Sequence, residues 1–358
     1  MRDAIRLSKR GFPAPNPHVG CVIVKSGEAV GRGFHAYAGG PHAEIVALKQ
    51  AGQAAKGADV YVTLEPCGHH GRTPPCANAL TEAGVARVFV ACEDPNPEAS
   101  AGVRSLRAAG IRVETGILAP EAEEANEHWL IAMRRGRPYV CIKSAVGLDG
   151  RIATASGESK WITSEVARRA GRRLRAEMGA VLVGERTVRA DDPRLTARIR
   201  GLRSEPTRVI LDPEVRLSGS ERVFREAGDC LWIVAEGSAS SASQVGVPCC
   251  DGKFDLRALL DELWMRGLTG VLVEGGAETS SSFVQAGLAD RVELFVAPKV
   301  LGDGLSWVQG ISISSVDSAL ELNWRWIRRI GRDLWIRADF APCSKRDDGD
   351  ETFASGER

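Results

Sequence analysis

Apolar positions along this chain gather in runs of about four to eight residues, the length and make-up of strands buried on both faces. Gly20-Cys-Val-Ile-Val24, Ala58-Asp-Val-Tyr-Val-Thr-Leu64 and Arg87-Val-Phe-Val-Ala-Cys92 are three such runs. Between them, Ala43 to Ala51 and Cys76 to Ala83 carry helical spacing. Leu106 to Ala109 lies in a further helical stretch, and Glu121 to Met133 grades from acidic to basic as a helix does along its dipole. Glu93 to Glu98 is a polar loop, and Arg134-Arg-Gly-Arg-Pro138 is written as a linker. A second series follows it: Tyr139 to Val146, Ala180 to Val183, Arg208 to Leu211, Leu231 to Val234 and Gly270 to Glu274, with helices over Glu165 to Glu177 and Leu256 to Arg266. Residues 290–300 and 333–340 add two more strands, and Pro342 to Arg358 is a polar tail expected to be disordered. Strand and helix thus alternate twice, which predicts two α/β domains, residues 1–136 and 137–341, meeting near residue 137.

A length of 358 residues supports two cores of that kind. With 47 basic against 46 acidic residues, net charge is +1, which offers no field for nucleic acid or an anionic membrane. No apolar run reaches membrane-spanning length and no signal peptide opens the chain. Nine cysteines, an odd number, then point to reduced thiols in a cytoplasm, and clustered cysteines are read first as metal ligands or catalysts. Homo-oligomerisation is left open.

One cluster meets that description. His42-Ala-Glu44 opens the first main helix, Pro66-Cys67 lies 25 residues further on, and Gly68-His-His-Gly-Arg-Thr-Pro-Pro75 leads to Cys76. Thr73 as cap and Pro74 at the first helical position would set Cys76 in a first turn, where the helix dipole favours a thiolate. One imidazole and two thiolates leave the fourth zinc position to water, the mark of a catalytic site. Glu44 stands where nucleobase deaminases, with the signature His-x-Glu, Pro-Cys and a later Cys, keep a carboxylate that moves protons without binding metal. A closed structural site completed by His69 or His70 is the alternative, although it gives Glu44 no purpose.

The second half speaks more softly. Gly270-Val-Leu-Val-Glu-Gly-Gly276 is a strand ending in two glycines, and Ala277 to Phe283 opens a helix. Such a turn either cradles a phosphate or is simply tight; the dinucleotide fingerprint Gly-x-Gly-x-x-Gly is absent. Arg168, Arg169, Arg172, Arg173 and Arg175 share one helix whose apolar stripe is read as Val166, Ala170 and Leu174. Most of these arginines make a solvated face, with one or two free to hold a substrate phosphate. Asp191-Asp192-Pro193 is read as a turn rather than a metal pair.

Two segments of the first half, Glu65 to Cys76 with its unusually long inter-cysteine loop and Pro15-Asn-Pro-His-Val-Gly-Cys-Val-Ile-Val24, resemble the bifunctional deaminase/reductase family of riboflavin biosynthesis. Lys143 to Arg151, Gly157 to Thr163, Arg189 to Thr196, Val273 to Gly276 and Ala297 to Gly302 extend the likeness from about residue 2 to residue 340. The resemblance implies a cytidine-deaminase-like three-layer domain followed by a dihydrofolate-reductase-like domain. It implies zinc on His42, Cys67 and Cys76, Glu44 as proton carrier, and NADPH as hydride donor in the second half. By position in the motifs, Val146, Trp161, Thr187, Asp191 and the turn Gly276, Ala277, Glu278, Thr279, Ser280, Ser281, Ser282 would meet the nicotinamide nucleotide. Ser159, Arg175, Leu195, Arg198 and Glu274 would meet a pyrimidine ribotide. The competing expectations are a deaminase of other nucleosides with an unrelated second domain, and a zinc-stabilised scaffold without chemistry.

Overall fold

The computed structural model describes residues 1–68, 75–96, 101–241 and 243–341. The expected tail, 342–358, lies outside the described residues. The first half runs α1 (Arg2–Ser8), β1 (Gly20–Lys25), β2 (Glu28–Phe34), α2 (Ala43–Ala51), β3 (Asp59–Leu64), α3 (Cys76–Glu82), β4 (Arg87–Cys92), α4 (Gly102–Ala108), β5 (Arg112–Thr115) and α5 (Ala119–Arg135). Its five strands lie in the order β2-β1-β3-β4-β5. The β1 strand pairs antiparallel with both neighbours, while β3, β4 and β5 run parallel. Parallel pairing needs a crossover, and α3 and α4 supply it. Ile23, Val60, Val62, Val88 and Val90 form the core with Ala43, Ala47 and Leu80 from the covering helices.

Close helix-on-sheet packing here depends on two glycines. A Cβ at Gly33 would stand 2.1 Å from the Ala43 carbonyl oxygen, and one at Gly31 would stand 2.3 Å from that of Ala47. Only residues without side chains let α2 lie this near β2, and that approach fixes the start of α2 over the sheet.

The second half runs β6 (Tyr139–Val146), α6 (Glu165–Met178), β7 (Ala180–Gly184), α7 (Glu185–Asp191), β8 (Thr207–Leu211), α8 (Arg222–Arg225), β9 (Cys230–Ala235) and β10 (Gln244–Val247). A small ladder of β11 (Cys249–Cys250) and β12 (Lys253–Phe254) follows, then α9 (Leu256–Met265), β13 (Gly270–Val273), α10 (Ala277–Gln285), β14 (Arg291–Val296), β15 (Leu322–Ile330) and β16 (Asp333–Phe340). The large sheet has the order β10-β9-β8-β7-β13-β6-β14-β16-β15, parallel from β10 to β14 and antiparallel beyond. No helix among the described residues is long and apolar enough to cross a membrane.

Two expectations change. The Arg134 to Pro138 stretch is not a linker: α5 runs through Arg135, Gly136 takes a left-handed conformation at φ 62° to end it, and β6 starts at Tyr139. The buried face of α6 is Ala167, Gly171, Leu174, Ala176 and Met178 rather than the stripe through Val166, which is 43% exposed. Leu174 alone was common to both readings, and small residues either side of it gave the hydrophobic pattern little to distinguish them.

The helix α5 touches both sheets. Trp129 and Leu130 pack with Leu64, Ala91 and Cys92 of the first half, whereas Ile131 and Ala132 pack with Tyr139, Cys141 and Leu272 of the second. Polar contacts reinforce the seam. The buried Asp290 carboxylate accepts from the Arg135 guanidinium, from Arg137 at 2.7 and 2.9 Å, and from the Val140 backbone N–H at 2.8 Å. Arg291 donates to Glu127 of α5 at 2.6 Å and to Asp339 at 2.6 Å. Asp290→Ala would leave these donors without their shared acceptor. Because Arg135 is partly exposed, the expected loss is about 2 to 3 kcal/mol, below that of a fully buried pair. Denaturant unfolding checks this, and a variant within 0.5 kcal/mol of wild type, roughly the effect of a neutral surface change, would show the seam to be unimportant.

Candidate active sites

Helix starts and strand ends bring the zinc candidates together. His42 is the residue before α2, Cys76 the first residue of α3, and Cys67 the third residue after β3. The ligand atoms of His42, Cys67 and Cys76 lie within 4.8 Å of one another. His42 Nδ1 is 3.2 Å from Cys76 Sγ and 3.6 Å from Cys67 Sγ, and the Cys76 backbone N–H donates to Cys67 Sγ at 3.3 Å. Pro75, not Thr73, precedes the helix of Cys76; Thr73, Pro74, His69 and His70 lie outside the described residues. The loop of Cys67 is pinned from behind. The Glu65 carboxylate accepts from the Val103 N–H of α4 at 2.9 Å, and a Cβ at Gly102 would meet the Pro66 carbonyl oxygen at 1.6 Å.

Electrostatics suit a cation. The hydrogen bond from the Cys76 thiol is the main influence drawing the Cys67 thiol down towards thiolate, and the same bond raises Cys76. One thiolate with a donor thiol beside it is the proton arrangement that a divalent ion would replace with two thiolates. Glu44, 3% exposed on the first turn of α2, is no part of the ligand cluster. Burial pushes its carboxyl up to about 7, against the pull of its own backbone N–H and His42. The donor set therefore fits zinc with an open position, and a carboxyl able to gain or lose a proton near neutrality stands beside it.

Sequence reasoning passed over two neighbours as individual residues. His35 is buried, its ring 5.4 Å from that of His42. Its Nδ1 lies 3.1 Å from the Pro41 carbonyl oxygen and its Nε2 lies 3.0 Å from Asn16 Nδ2. A carbonyl can only accept, so Nδ1 carries the proton and Nε2 accepts from the amide. The burial that lowers the His35 pKa agrees with this neutral ring. A lone histidine directly after a glycine-containing strand carries no signal by itself; its place beside the cluster is tertiary.

In the second half, the residues expected from the motifs meet around one cleft of about 1660 Å³. Ser159, Trp161, Arg175, Thr187, Asp191, Leu195, Arg198, Glu274, Gly276, Ala277, Glu278, Thr279 and Ser282 all line it. Val146, at the end of β6 and 2% exposed, does not, although Ala145 beside it does; Ser280 and Ser281 face away as buried residues of α10. Asp191 ends α7 and Asp192 adopts a left-handed conformation after it, so this pair is the turn expected. The volume exceeds that of a single drug-sized pocket and suits two ligands side by side.

Strand ends again position the polar groups. Glu274 follows β13, and Arg175 of α6 grips it with Nε–Oε1 at 2.6 Å and Nη2–Oε2 at 2.9 Å, while Lys143 Nζ lies 3.4 Å from Oε2. Burial alone would raise this carboxyl, but the Arg175 guanidinium and Lys143 ammonium overcome it and hold it at about 2. Lys143 was singled out only as part of a motif; a charge inside the apolar run of β6 was the available signal. Gly276 caps α10 without a side-chain hydrogen bond, and a Cβ at Gly275 would meet the Thr279 Cβ at 2.5 Å. The turn is therefore tight because of its glycines, and it brings the start of a helix, with its unpaired first N–H groups, to the wall of the cleft.

Comparison with known proteins bears directly on both sites. Residues 1–92 match the cytidine and deoxycytidylate deaminase zinc-binding region, and residues 138–336 match the RibD C-terminal domain. The riboflavin biosynthesis protein RibD of Aquifex aeolicus is 43% identical over 343 residues, covering 94% of this chain and 96% of that protein. The chain belongs to the RibD family. The RibD of Escherichia coli is 42% identical across 94% of this chain and 97% of its own length. Among solved structures, Acinetobacter baumannii RibD superposes with a TM-score of 0.87 at 41% identity, covering 95% of this chain and 97% of that one. A deaminase/reductase from Thermotoga maritima gives 0.85 at 36%, with the same coverage. As a RibD protein the chain is a bifunctional enzyme of riboflavin biosynthesis, a deaminase domain followed by a reductase domain.

Removing one of three ligands from an open site should release most of the metal. Purified wild type is expected to hold about one zinc per chain and Cys76→Ala far less, by metal analysis after dialysis. Full occupancy in that variant would reject the three-residue cluster.

Proposed function

We propose that the chain deaminates 2,5-diamino-6-(5-phosphoribosylamino)pyrimidin-4(3H)-one and then reduces the resulting 5-amino-6-(5-phosphoribosylamino)uracil to its ribityl form with NADPH. The Thermotoga maritima relative bears a name that pairs these two activities. The observation that carries the reading is the convergence of His42, Cys67 and Cys76 beside the buried, non-ligating Glu44.

In the first site His42, Cys67 and Cys76 would hold zinc, whose role when bound is to make water a nucleophile at neutral pH. Glu44 accepts a proton from that water and delivers protons to the ring nitrogen and the departing amine, so a ring C–NH₂ becomes C=O with release of ammonia. Its carboxyl, poised at about 7 by burial, suits both directions of transfer. His35, its tautomer fixed by Pro41 and Asn16, packs against the His42 ring and holds that ligand's orientation.

In the second site NADPH, when bound, would supply the hydride that converts the ribosyl C1′ to the ribityl carbon. The first N–H groups at the uncapped start of α10, around Gly276 to Thr279, would hold the dinucleotide's phosphates, with Thr187 close behind and Trp161 and Asp191 along the same cleft. We read Val146 as supporting the nicotinamide side from beneath. Ser159, Arg175, Leu195, Arg198 and Glu274 form the ribotide side, where the paired Glu274 stays an anion and fixes Arg175. We take residues 1–136 as the deaminase unit and 137–341 as the reductase unit, working in the cytoplasm on small molecules.

Glu44→Gln is expected to keep its zinc and lose deamination by on the order of 10² to 10⁴, measured as ammonia release. Reduction of the deaminated ribotide should continue, since no residue of that cleft is altered. Deamination within threefold of wild type, far short of that general acid–base factor, would remove Glu44 from the mechanism. The reading as a whole fails if NADPH oxidation does not require the deaminated ribotide.

A further inference from the structure

The α6 helix carries Arg168, Arg172 and Arg175 at spacings of four and three, which sets the three side chains in one row along a helix face. All three line the reductase cleft. The outer two are engaged within the protein. Arg168 lies 4.4 Å over the Trp161 ring and donates to the Thr163 carbonyl oxygen at 2.7 Å. Arg175 is held by Glu274 and by the Thr196 carbonyl oxygen at 2.9 Å. Arg172, between them, has no hydrogen bond or ion pair among the described residues.

Arg198, which lines the same cleft, is in the same condition. Its backbone is fixed, at φ 54°, with N–H donors of Ala197 and Arg198 on the Glu205 carboxylate, yet its guanidinium has no partner among the described residues. Among the nearby acids, Glu274 is held by Arg175 and Lys143, Glu226 by Arg194 at 3.0 Å, and Asp191 by Lys160 at 2.7 Å, while Glu165, the first residue of α6, makes no ion pair among the described residues. Burial and the neighbouring Arg172, Arg175 and Arg194 press the Arg198 pKa down; burial and neighbouring arginines, Arg175 foremost, do the same to Arg172. Glu165 also lines the cleft and its charge partly offsets the effect on Arg172, but it makes no ion pair with either guanidinium. Two cations that repel each other and have no ion-pair partner among the described residues are an unfavourable arrangement unless an anion joins them.

We propose that Arg172 is the second guanidinium of a phosphate-monoester clamp, closing with Arg198 on the 5′-phosphate of the ribotide. The proposal rests on reading this cleft as the reductase site and Arg198 as a phosphate contact. The charges match: a phosphate monoester carries about −1.5 to −2 near neutrality, and two guanidinium forks supply two positive charges with paired donors. On the reading proposed above, the phosphates of NADPH go to the uncapped start of α10, which leaves the monoester of the smaller substrate as the anion for this pair.

The test uses the full-length, zinc-loaded enzyme. Steady-state reduction is measured with the phosphorylated ribosylaminouracil and with its dephosphorylated nucleoside, and with inorganic phosphate as competitor. R172M is expected to raise KM for the ribotide about tenfold or more, the weight of one hydrogen bond to a charged group. Its kcat should move much less, inhibition by phosphate should weaken by a similar factor, and the KM values for nucleoside and NADPH should stay within about twofold, less than one such bond is worth. R172K, which keeps the charge without the fork, should fall between, and it carries the test if R172M does not fold by thermal melting. An equal rise in KM on ribotide and nucleoside would reduce Arg172 to a helix residue and overturn the proposal. A rise confined to NADPH would assign Arg172 to the dinucleotide and overturn it as well. If R198M loses the preference for the phosphorylated substrate while R172M keeps it, the clamp fails and the Arg198 reading stands. A wild type that does not distinguish the two substrates overturns both together.

Discussion

Parallel strands must be joined by crossovers, and in this chain that requirement decides where chemistry stands. The strands β3, β4 and β5 share a direction, and so do all strands from β10 to β14 of the large sheet. Their carboxyl ends therefore open on one edge of each sheet, and the helices that follow start there with unpaired N–H groups. Cys67 lies just past the end of β3 and Cys76 at the start of α3. Gly184 ends β7, Thr187 lies on the helix after it, and Glu274 and Gly276 follow β13. Every one of these residues is close to a strand end because the topology leaves no other place where side chains from distant segments meet at a rigid boundary. His42 reaches its cluster by a different route. It precedes a helix laid on antiparallel β2, and the glycines at 31 and 33 set how deeply that helix sits.

The two sheets are not merely strung together. The apolar residues of α5 divide between both cores, and Asp290 and Arg291 tie its end and its side to the second sheet. Smaller contacts repeat the theme near the sites. Thr269 donates to the Pro15 carbonyl oxygen at 2.9 Å, on the loop that carries Asn16, and Arg173 lies 4.9 Å over the Phe12 ring. The loop after Arg198 is part of this seam too, with Arg203 5.5 Å over Tyr37. Because α6 bears both Arg173 at the seam and Arg172 and Arg175 in the cleft, the reductase cleft is braced against the deaminase half.

Much of this was legible from residues alone, for identifiable reasons. Interior strands announce themselves as mainly apolar runs, so β4 and β6 are found with their ends as expected; β16 is found too, although Asp333, Arg337 and Asp339 interrupt its apolar residues. By contrast β2, Glu-Ala-Val-Gly-Arg-Gly-Phe, and β15, with three arginines and an asparagine, lie at sheet edges. An edge strand need satisfy only one neighbour and one partly buried face, so its sequence is free of the pattern that marks an interior strand. The zinc ligands were readable because their spacing is chemical. Lys143 and Arg172 were not, because what distinguishes them is whether a carboxylate from elsewhere neutralises them. The Arg134 to Pro138 stretch misled for a related reason: arginines and a glycine look like solvent-exposed linker until Asp290 is known to face them.

Two buried glutamates show how far such neighbours govern chemistry. Glu44 and Glu274 both lose solvent, and desolvation is the largest influence on each. Around Glu44 no lysine or arginine among the described residues makes an ion pair, and its carboxyl rises to about 7, where it can both take and give a proton. Around Glu274 a guanidinium and an ammonium reverse the outcome, and at about 2 it stays charged through any physiological pH. The first is therefore equipped to carry protons and the second to be a fixed anion that orients Arg175. A chain that places one buried carboxyl beside a cysteine cluster, without a cation partner among the described residues, and another beneath an arginine row assigns these roles by cation placement, since the side chains themselves are identical.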